Sequence, residues 1–357
     1  MKTILVVSTE SHAGKSVVCL ALGLSLKDKG IPFAYMKPIS YEVSYATGEP
    51  IDRDAEAIRS ILGLEDGLRD IAPVPLEGPF LREAIESGDR GFRQRILESY
   101  QRIMEGRQVA LIEGRHHLGL GVSAGLSDLE LAQLLDADVL ILTRYDGEAA
   151  IDRILCALRL LDGGPRVLGV ILREVSLDTE FSVVNDVFVP FLADRGAEVL
   201  GIVPFEHRLR SVSAEEILDR LGGKQVTDVP LERPVGHFLV GATGPQAALR
   251  SFRRTPELAV ITGGDQTEIQ LAALEAPDIR CLILTSNLRP NRTVIKEAQE
   301  KKVPVIVVGQ HTLAAAEQCD GLLSRTWIHR GEALDFAISF FRYNIDIERI
   351  IEKAVDH

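Results

Sequence analysis

No stretch of this chain is apolar for long enough to cross a bilayer, and no basic run or aromatic-studded stripe is present to grip a nucleic-acid backbone. The charge balance points the same way, with 40 basic residues against 52 acidic ones and a net charge of −12. Membranes and nucleic acids are therefore not expected partners, although an acidic protein can still bind phosphate groups locally. Cysteine is scarce. Cys19, Cys156, Cys281 and Cys319 lie far apart, without C-x-x-C spacing or histidines at zinc-finger intervals, which argues against a structural zinc site and leaves core thiols of a reducing compartment. Met1-Lys2 leads directly into a short apolar strand, so no secretory signal is expected and the protein is placed in the cytoplasm. Simple repeats and low-complexity tracts are missing as well.

What is present is a chain of 357 residues, 46% hydrophobic and 26% charged, enough for two or three domains with substantial cores. Up to Gly222, short β-branched runs alternate with helical patterns. Strands are expected at 3–8, 33–37, 108–112, 138–143, 167–172 and 198–203, with helices near 15–29, 53–62, 92–106, 127–135, 147–161 and 179–194. This pattern predicts an α/β fold with a doubly wound, mostly parallel sheet whose ligand sits at the carboxyl ends of the strands. A short helix near 213–221 precedes a polar, turn-rich stretch, Gly222 to Pro234, which is expected to separate domains. A second, shorter alternation follows, with strands near 235–241, 258–262, 280–285 and 303–308 and helices near 244–252, 266–274, 291–301 and 312–319. The expected organisation is a nucleotide-binding domain over 1–222, a smaller α/β domain over 235–330, and two C-terminal helices over 331–357. The first of these domains is expected to fold by itself.

The most informative local pattern is Thr9-Glu10-Ser11-His12-Ala13-Gly14-Lys15-Ser16. It joins the apolar run Ile4-Leu5-Val6-Val7 to an apolar helical pattern. A buried strand that stops and feeds a helix N-terminus aims backbone N–H groups at one point, while the lysine adds a cation and the serine a Mg²⁺ ligand. The common phosphate-loop pattern asks for glycine where Thr9 stands. Only Gly14-Lys15-Ser16 is strict, and His12 either touches a phosphate or is simply solvated.

A metal at this loop needs carboxylates, since hard cations prefer oxygen ligands. Glu113 follows the apolar run Val109-Ala110-Leu111-Ile112 and precedes Gly114, so it stands at the carboxyl end of a core strand, where it must find a cation or donors. Asp54 opens the helix Arg53–Arg59. It is a second candidate, although an acid in a first helical turn is favoured by the helix dipole without any ligand. Lys37 ends the second strand and can bring another cation to the phosphates. His116 and His117 read as loop residues. Gly263-Gly264 opens a helix after a strand and offers a second anion site, which a tight turn alone would also explain.

Thr9-Glu10-Ser11 through Ser16, then Lys37-Pro38-Ile39-Ser40, Asp54 and Glu113-Gly114 together resemble dethiobiotin synthetase over about the first 220 residues. The closer likeness is to the dethiobiotin-synthetase-like N-terminal region of long bacterial phosphotransacetylases and their stand-alone relatives, through Glu113-Gly114-Arg115-His116-His117 and Gly119-Leu120-Gly121. The DRTGG domain that follows in those relatives is resembled by Val260–Ile269 with Cys281–Thr285. The resemblance implies a P-loop NTPase-type sheet with ATP and Mg²⁺ as cofactors. It implies that Lys15 contacts the β- and γ-phosphates, Ser16 ligates Mg²⁺, Asp54 and Glu113 hold the metal or its waters, and Lys37 faces the transferred group. Lys15 and Lys37 are thus the expected catalytic residues. Two departures stand out. Ser8 occupies the place of the first glycine, and Arg173-Glu174 stand where relatives carry an asparagine that reads the purine edge.

Two functions follow. One is a nucleotide-binding regulatory module related to the phosphotransacetylase N-terminal region. The other is an ATP-dependent ligase of dethiobiotin-synthetase type, in which a carboxylate or carbamate attacks the γ-phosphate. Because a phosphotransacetylase catalytic domain would need several hundred further residues, acetyl transfer is not expected of this sequence. Relatives of this sheet build sites across a dimer, which leaves a homo-oligomer as a possible state.

Overall fold

The computed structural model describes residues 2–11, 14–40, 43–44, 51–76, 91–323 and 332–355, and these divide into two compact units. Met1–Phe205 together with Ile328–His357 form the first, and Glu206–Trp327 the second.

The first unit is built on six strands: β1 (Lys2–Ser8), β2 (Phe33–Met36), β3 (Val109–Glu113), β4 (Asp138–Arg144), β5 (Val167–Val175) and β6 (Val199–Pro204). Their spatial order is β6-β5-β4-β1-β3-β2, and every neighbouring pair is parallel. Parallel strands covered on both faces must be apolar throughout, which is why Ile4, Leu5, Val6 and Val7 are all buried. The helices α1 (Lys15–Asp28), α2 (Arg53–Leu62), α3 (Phe92–Ile103), α4 (Asp128–Leu134) and α5 (Glu148–Leu161) follow their strands as the sequence pattern predicts. The chain leaves β1 for one side of the sheet and later crosses to the other. The carboxyl end of β1 is therefore the point where the winding reverses and a ligand crevice opens.

The expected strand 167–172 runs on to Val175, passing Glu174 in a left-handed conformation, φ 60°. The expected helix 179–194 is interrupted by a π turn at Val184–Phe188.

The second unit has a five-stranded sheet: β7 (Lys224–Gln225), β8 (His237–Val240), β9 (Leu258–Gly263), β10 (Ile279–Thr285) and β11 (Val305–Val307), in the order β7-β11-β10-β9-β8. All neighbours are parallel except β7, which runs antiparallel to β11. The helices are α6 (Ala214–Leu221), α7 (Pro245–Phe252), α8 (Thr267–Leu274), α9 (Arg292–Glu300) and α10 (Thr312–Leu323). The expected separator at 222–234 is structured. Lys224 and Gln225 add an edge strand, and the Thr227 hydroxyl accepts from the Val305 N–H at 2.9 Å. Ile217 and Leu221 of α6 bury with Ile261, Cys281 and Ile306, so α6 belongs to the second core rather than the first. A two-residue polar strand carries no periodicity, because its bonds are backbone bonds to a sheet edge.

The chain then returns to the first unit with α11 (Glu332–Asn344) and α12 (Ile347–Val355). These are not a separate tail. Phe341, Ile347, Ile350, Ile351 and Ala354 are buried, Arg342 pairs with Asp28 at 2.7 Å, and Lys353 pairs with Glu198 at 2.8 Å. Three of the four cysteines are buried as expected. Cys156 is exposed, on the solvent side of α5.

Candidate functional site

Parallel pairing sets the site. Glu113 lies in register with Val6, and the Gly114 N–H donates to the Val6 carbonyl at 2.9 Å, so the end of β3 is delivered beside the loop that leaves β1. Residue 114 must be glycine. A Cβ there would stand 2.5 Å from Asp128 Oδ2 and 2.9 Å from the Val6 carbonyl oxygen. The loop enters α1 through Gly14 in the left-handed conformation, φ 77°, which a side chain would strain. Lys15 and Ser16 then form the first turn, at the positive end of the helix dipole. His12 and Ala13 lie outside the described residues.

Lys15 is buried, and its ammonium donates to Ser8 Oγ at 2.8 Å. Burial holds its pKa below the ordinary lysine value, against the opposing charges of Glu113, Asp128 and Glu10. Ser8 is itself fully buried, with the carbonyls of Glu10 and His116 in reach of its proton at 2.7 and 3.0 Å.

Ser16 Oγ donates to Glu113 Oε1 at 2.6 Å, and the Tyr35 hydroxyl donates to Glu113 Oε2 at 2.8 Å. Burial raises the pKa of Glu113, while Lys37 and these two donors pull it down. Glu113 therefore does not stand alone, and both its oxygens are committed to named donors.

The other expected residues separate. Thr9 donates to the Glu10 carboxylate and sits 3.1 Å from Thr143 Oγ1. Glu10 accepts from the Arg144 N–H at 2.7 Å, which ties it to the end of β4. Ser11 is exposed. Lys37 pairs with Asp52 at 2.9 Å and with Asp54 at 3.5 Å. Burial would lower the Lys37 pKa, but Asp52, Glu113 and Asp54 together hold it above its ordinary value. Asp52 also caps α2, accepting from the Ala55 N–H at 2.9 Å.

Sequence reasoning missed three members of this cluster. Tyr35 stands two residues before Lys37 and so shares its face of the strand, a signal that period-2 reading could have used. Asp52 was hidden because a cap residue looks purely structural. Asp128 was hidden for the same reason, since Ser127-Asp128-Leu129-Glu130 reads as a capping box and does form one. Asp128 is nevertheless fully buried. Its Oδ1 accepts from the Arg115 N–H at 2.8 Å, and its Oδ2 has no hydrogen-bond partner among the described residues. Burial pushes its pKa up to about 7, against the Arg115 N–H and the charge of Lys15.

Residues 2–213 match the sequence profile of the AAA domain family. The chain belongs to that AAA domain family. Residues 216–321 of this AAA-domain protein match the DRTGG domain. It is similar to a phosphate acetyltransferase of Pseudomonas putida, 23% identical over 363 residues, 97% of this chain and 51% of that protein. It is also similar to an ATP-dependent dethiobiotin synthetase of Methanococcus vannielii, 26% identical over 203 residues, 56% of this chain and 92% of that protein. Among solved structures, the MinD cell division protein of Aquifex aeolicus matches 58% of this chain and 84% of its own, at 15% identity and a TM-score of 0.33. The chain spans about half the length of the phosphate acetyltransferases it matches.

Proposed function

We propose that the first unit binds a nucleoside triphosphate with Mg²⁺ and serves as a regulatory module of the kind carried at the N-terminus of long phosphotransacetylases. The observation that carries this reading is the Ser16–Glu113 pair, 2.6 Å apart at the start of α1, directly after the Gly14-Lys15 step. A hydroxyl and a carboxylate at a helix N-terminus form an all-oxygen donor set suited to a hard cation, and a buried lysine beside them suits phosphate oxygens. Lys15 would leave Ser8 to meet the phosphates, Ser16 and Glu113 would hold Mg²⁺ directly or through water, and Asp54 would lie further out beside Lys37. Bound metal would supply neutralisation of phosphate charge.

Calorimetry with ATP, GTP and ADP, with and without Mg²⁺, tests this reading. Saturable Mg·nucleotide binding that Lys15→Ala abolishes in a folded protein is expected, and affinity unchanged in that variant would sink the phosphate-loop assignment.

A second reading, an ATP-dependent ligase, is favoured by the dethiobiotin synthetase match, which covers nearly all of that protein. The two part on turnover. A module gains nothing from hydrolysis, so phosphate release well below roughly 1 s⁻¹, the low end of ordinary turnover, is expected. Release that rises to ordinary enzyme rates with diaminopelargonate and bicarbonate would replace the module reading with the ligase.

A further inference from the structure

The carboxyl end of β5 stands level with the phosphate loop. Ser8 at the end of β1 is in register with Leu142 of β4, and two residues further on Arg144 is in register with Arg173 of β5. The loop reaches the same level, since Glu10 accepts from the Arg144 N–H at 2.7 Å. The Tyr145 N–H donates to the Arg173 carbonyl at 2.8 Å, which ties the ends of β4 and β5 together. Arg173 is thus two strand spacings from β1, about 10 Å across the edge of the sheet. Lys15 feels it: burial is the larger cause of the lowered lysine pKa, and the charge of Arg173 adds to it.

Consecutive residues of a strand point to opposite faces, yet the Arg173 and Glu174 side chains pair at 2.9 Å. A bulge brings them together. Val203 of β6 is in register with Arg173 and Pro204 with Val175, so Glu174 is passed over. Its left-handed backbone, φ 60°, strains a residue other than glycine and takes Glu174 out of the alternation. Bulges that re-aim a side chain and residues held in such strain both gather beside functional sites. The pair is largely withdrawn from water, with side chains 9% and 18% exposed.

We infer that Arg173 and Glu174 select the base of the bound nucleotide and that this base is guanine, an inference that rests on the phosphate-loop reading above. On that reading Ser16 and Glu113 draw the metal and the terminal phosphates toward β3, so the nucleoside leaves over β4 and β5. There it meets a cation and a carboxylate side by side. Guanine offers acceptors at O6 and N7, which suit the guanidinium fork, and donors at N1 and the 2-amino group, which suit the two carboxylate oxygens. A carboxylate oxygen that already accepts from Arg173 has a second lone pair for the base. Adenine presents an amino group where guanine has O6 and a bare N1 where guanine has a donor, so it faces donor with donor and acceptor with acceptor. Such mismatches leave buried polar groups unpaired, and that is what gives a polar site its selectivity.

The test is calorimetry of the full chain with Mg²⁺ and GTP, ITP or ATP. GTP is expected to bind about tenfold or more tighter than ATP, a difference of about 1.4 kcal/mol. ITP lacks the 2-amino group and should bind roughly threefold or more weaker than GTP. Glu174→Gln exchanges an acceptor for a donor and should bring the preference for GTP over ATP down to about threefold or less. Equal affinity for GTP and ATP, ITP as tight as GTP, or an unchanged preference in Glu174→Gln overturns the base assignment, and binding that is still lost in Lys15→Ala would leave the phosphate loop standing. Binding of none of the three overturns both. Should Glu174→Gln unfold the protein, the ITP comparison on the unmodified chain decides.

Discussion

The Lys15 ammonium and the Ser8 hydroxyl hold each other at 2.8 Å inside the first unit, both buried. A phosphate ligand must compete with that bond. Removing it should release about 0.5–1.5 kcal/mol that the lysine otherwise gives up on binding. Ser8→Gly is therefore expected to tighten Mg·nucleotide binding by roughly threefold to tenfold, a difference of up to about 1.4 kcal/mol, as measured by calorimetry. A loss of affinity would instead make the serine hydroxyl part of the ligand's own contacts.

Glu113 receives one hydroxyl from α1 and one from β2, and the two should behave differently on substitution. Glu113→Gln is expected to weaken Mg²⁺-dependent nucleotide binding far more than metal-free binding, since an amide is a poorer ligand for a hard cation. Equal losses in the two titrations would mark a structural glutamate. Tyr35→Phe leaves a buried carboxylate oxygen without its donor and should cost about 1–3 kcal/mol of stability in denaturant titration.

Asp128 gives a pH signature. Its folded-state pKa is about 7, above the ordinary aspartate value of 3.8, so the folded protein binds this proton more tightly than the unfolded chain between those limits. The contribution favours folding at low pH and is lost as pH rises through about 7. Asp128→Asn keeps an acceptor for the Arg115 N–H and removes the buried charge. The variant should therefore gain stability relative to the parent at pH 8 and lose that gain by pH 4, as read from melting curves at the two values. A gain that is the same at both would disprove the burial argument.

Asp52 joins α2 to Lys37 by capping the one and pairing with the other. Asp52→Ala is expected to cost about 3 kcal/mol, because it removes a cap and leaves a mostly buried ammonium with the more exposed Asp54. Asp52→Asn, which keeps the cap, should recover part of the loss. A cost under about 1 kcal/mol would make the pair a surface one in energetic terms.

How much of this was legible in the sequence depended on whether the signal was periodic. The runs Ile4–Val7 and Val109–Ile112 fixed two buried parallel strands, and Gly14-Lys15-Ser16 fixed the turn between strand and helix, because each uses a short-range constraint. Tyr35, Asp52 and Asp128 escaped because their partners are distant in sequence. An aromatic hydroxyl in a core strand and an acid at a helix start both have sufficient local explanations. The edge strand Lys224–Gln225 escaped for the opposite reason: its side chains carry no pattern, and only the backbone of β11 defines it. The C-terminal helices were legible as helices, but which core they complete was not, since amphipathicity shows that a face is buried and not against what.

Residues 1–222 alone, whose pattern reads as complete, lack α11 and α12 and would bare the surface that Phe341, Ile347, Ile350 and Ile351 cover. We expect that fragment to be aggregation-prone or markedly less stable than the same segment joined to residues 328–357 by a short linker, in denaturant titrations of both. Equal stability would show the two helices to be dispensable.

The return of α11 and α12 to the first unit also orders events during synthesis. The second unit is one continuous segment and can fold as soon as it leaves the ribosome, whereas the first must wait for about 150 further residues after Phe205 before its last two helices exist. At ordinary elongation rates that is roughly 8–30 s during which all six strands of its sheet exist without the cover of α11 and α12. Any nucleotide competence of the Lys15 loop that depends on the covered sheet would then report that translation has run through α12, making chains truncated before it silent as well as unstable.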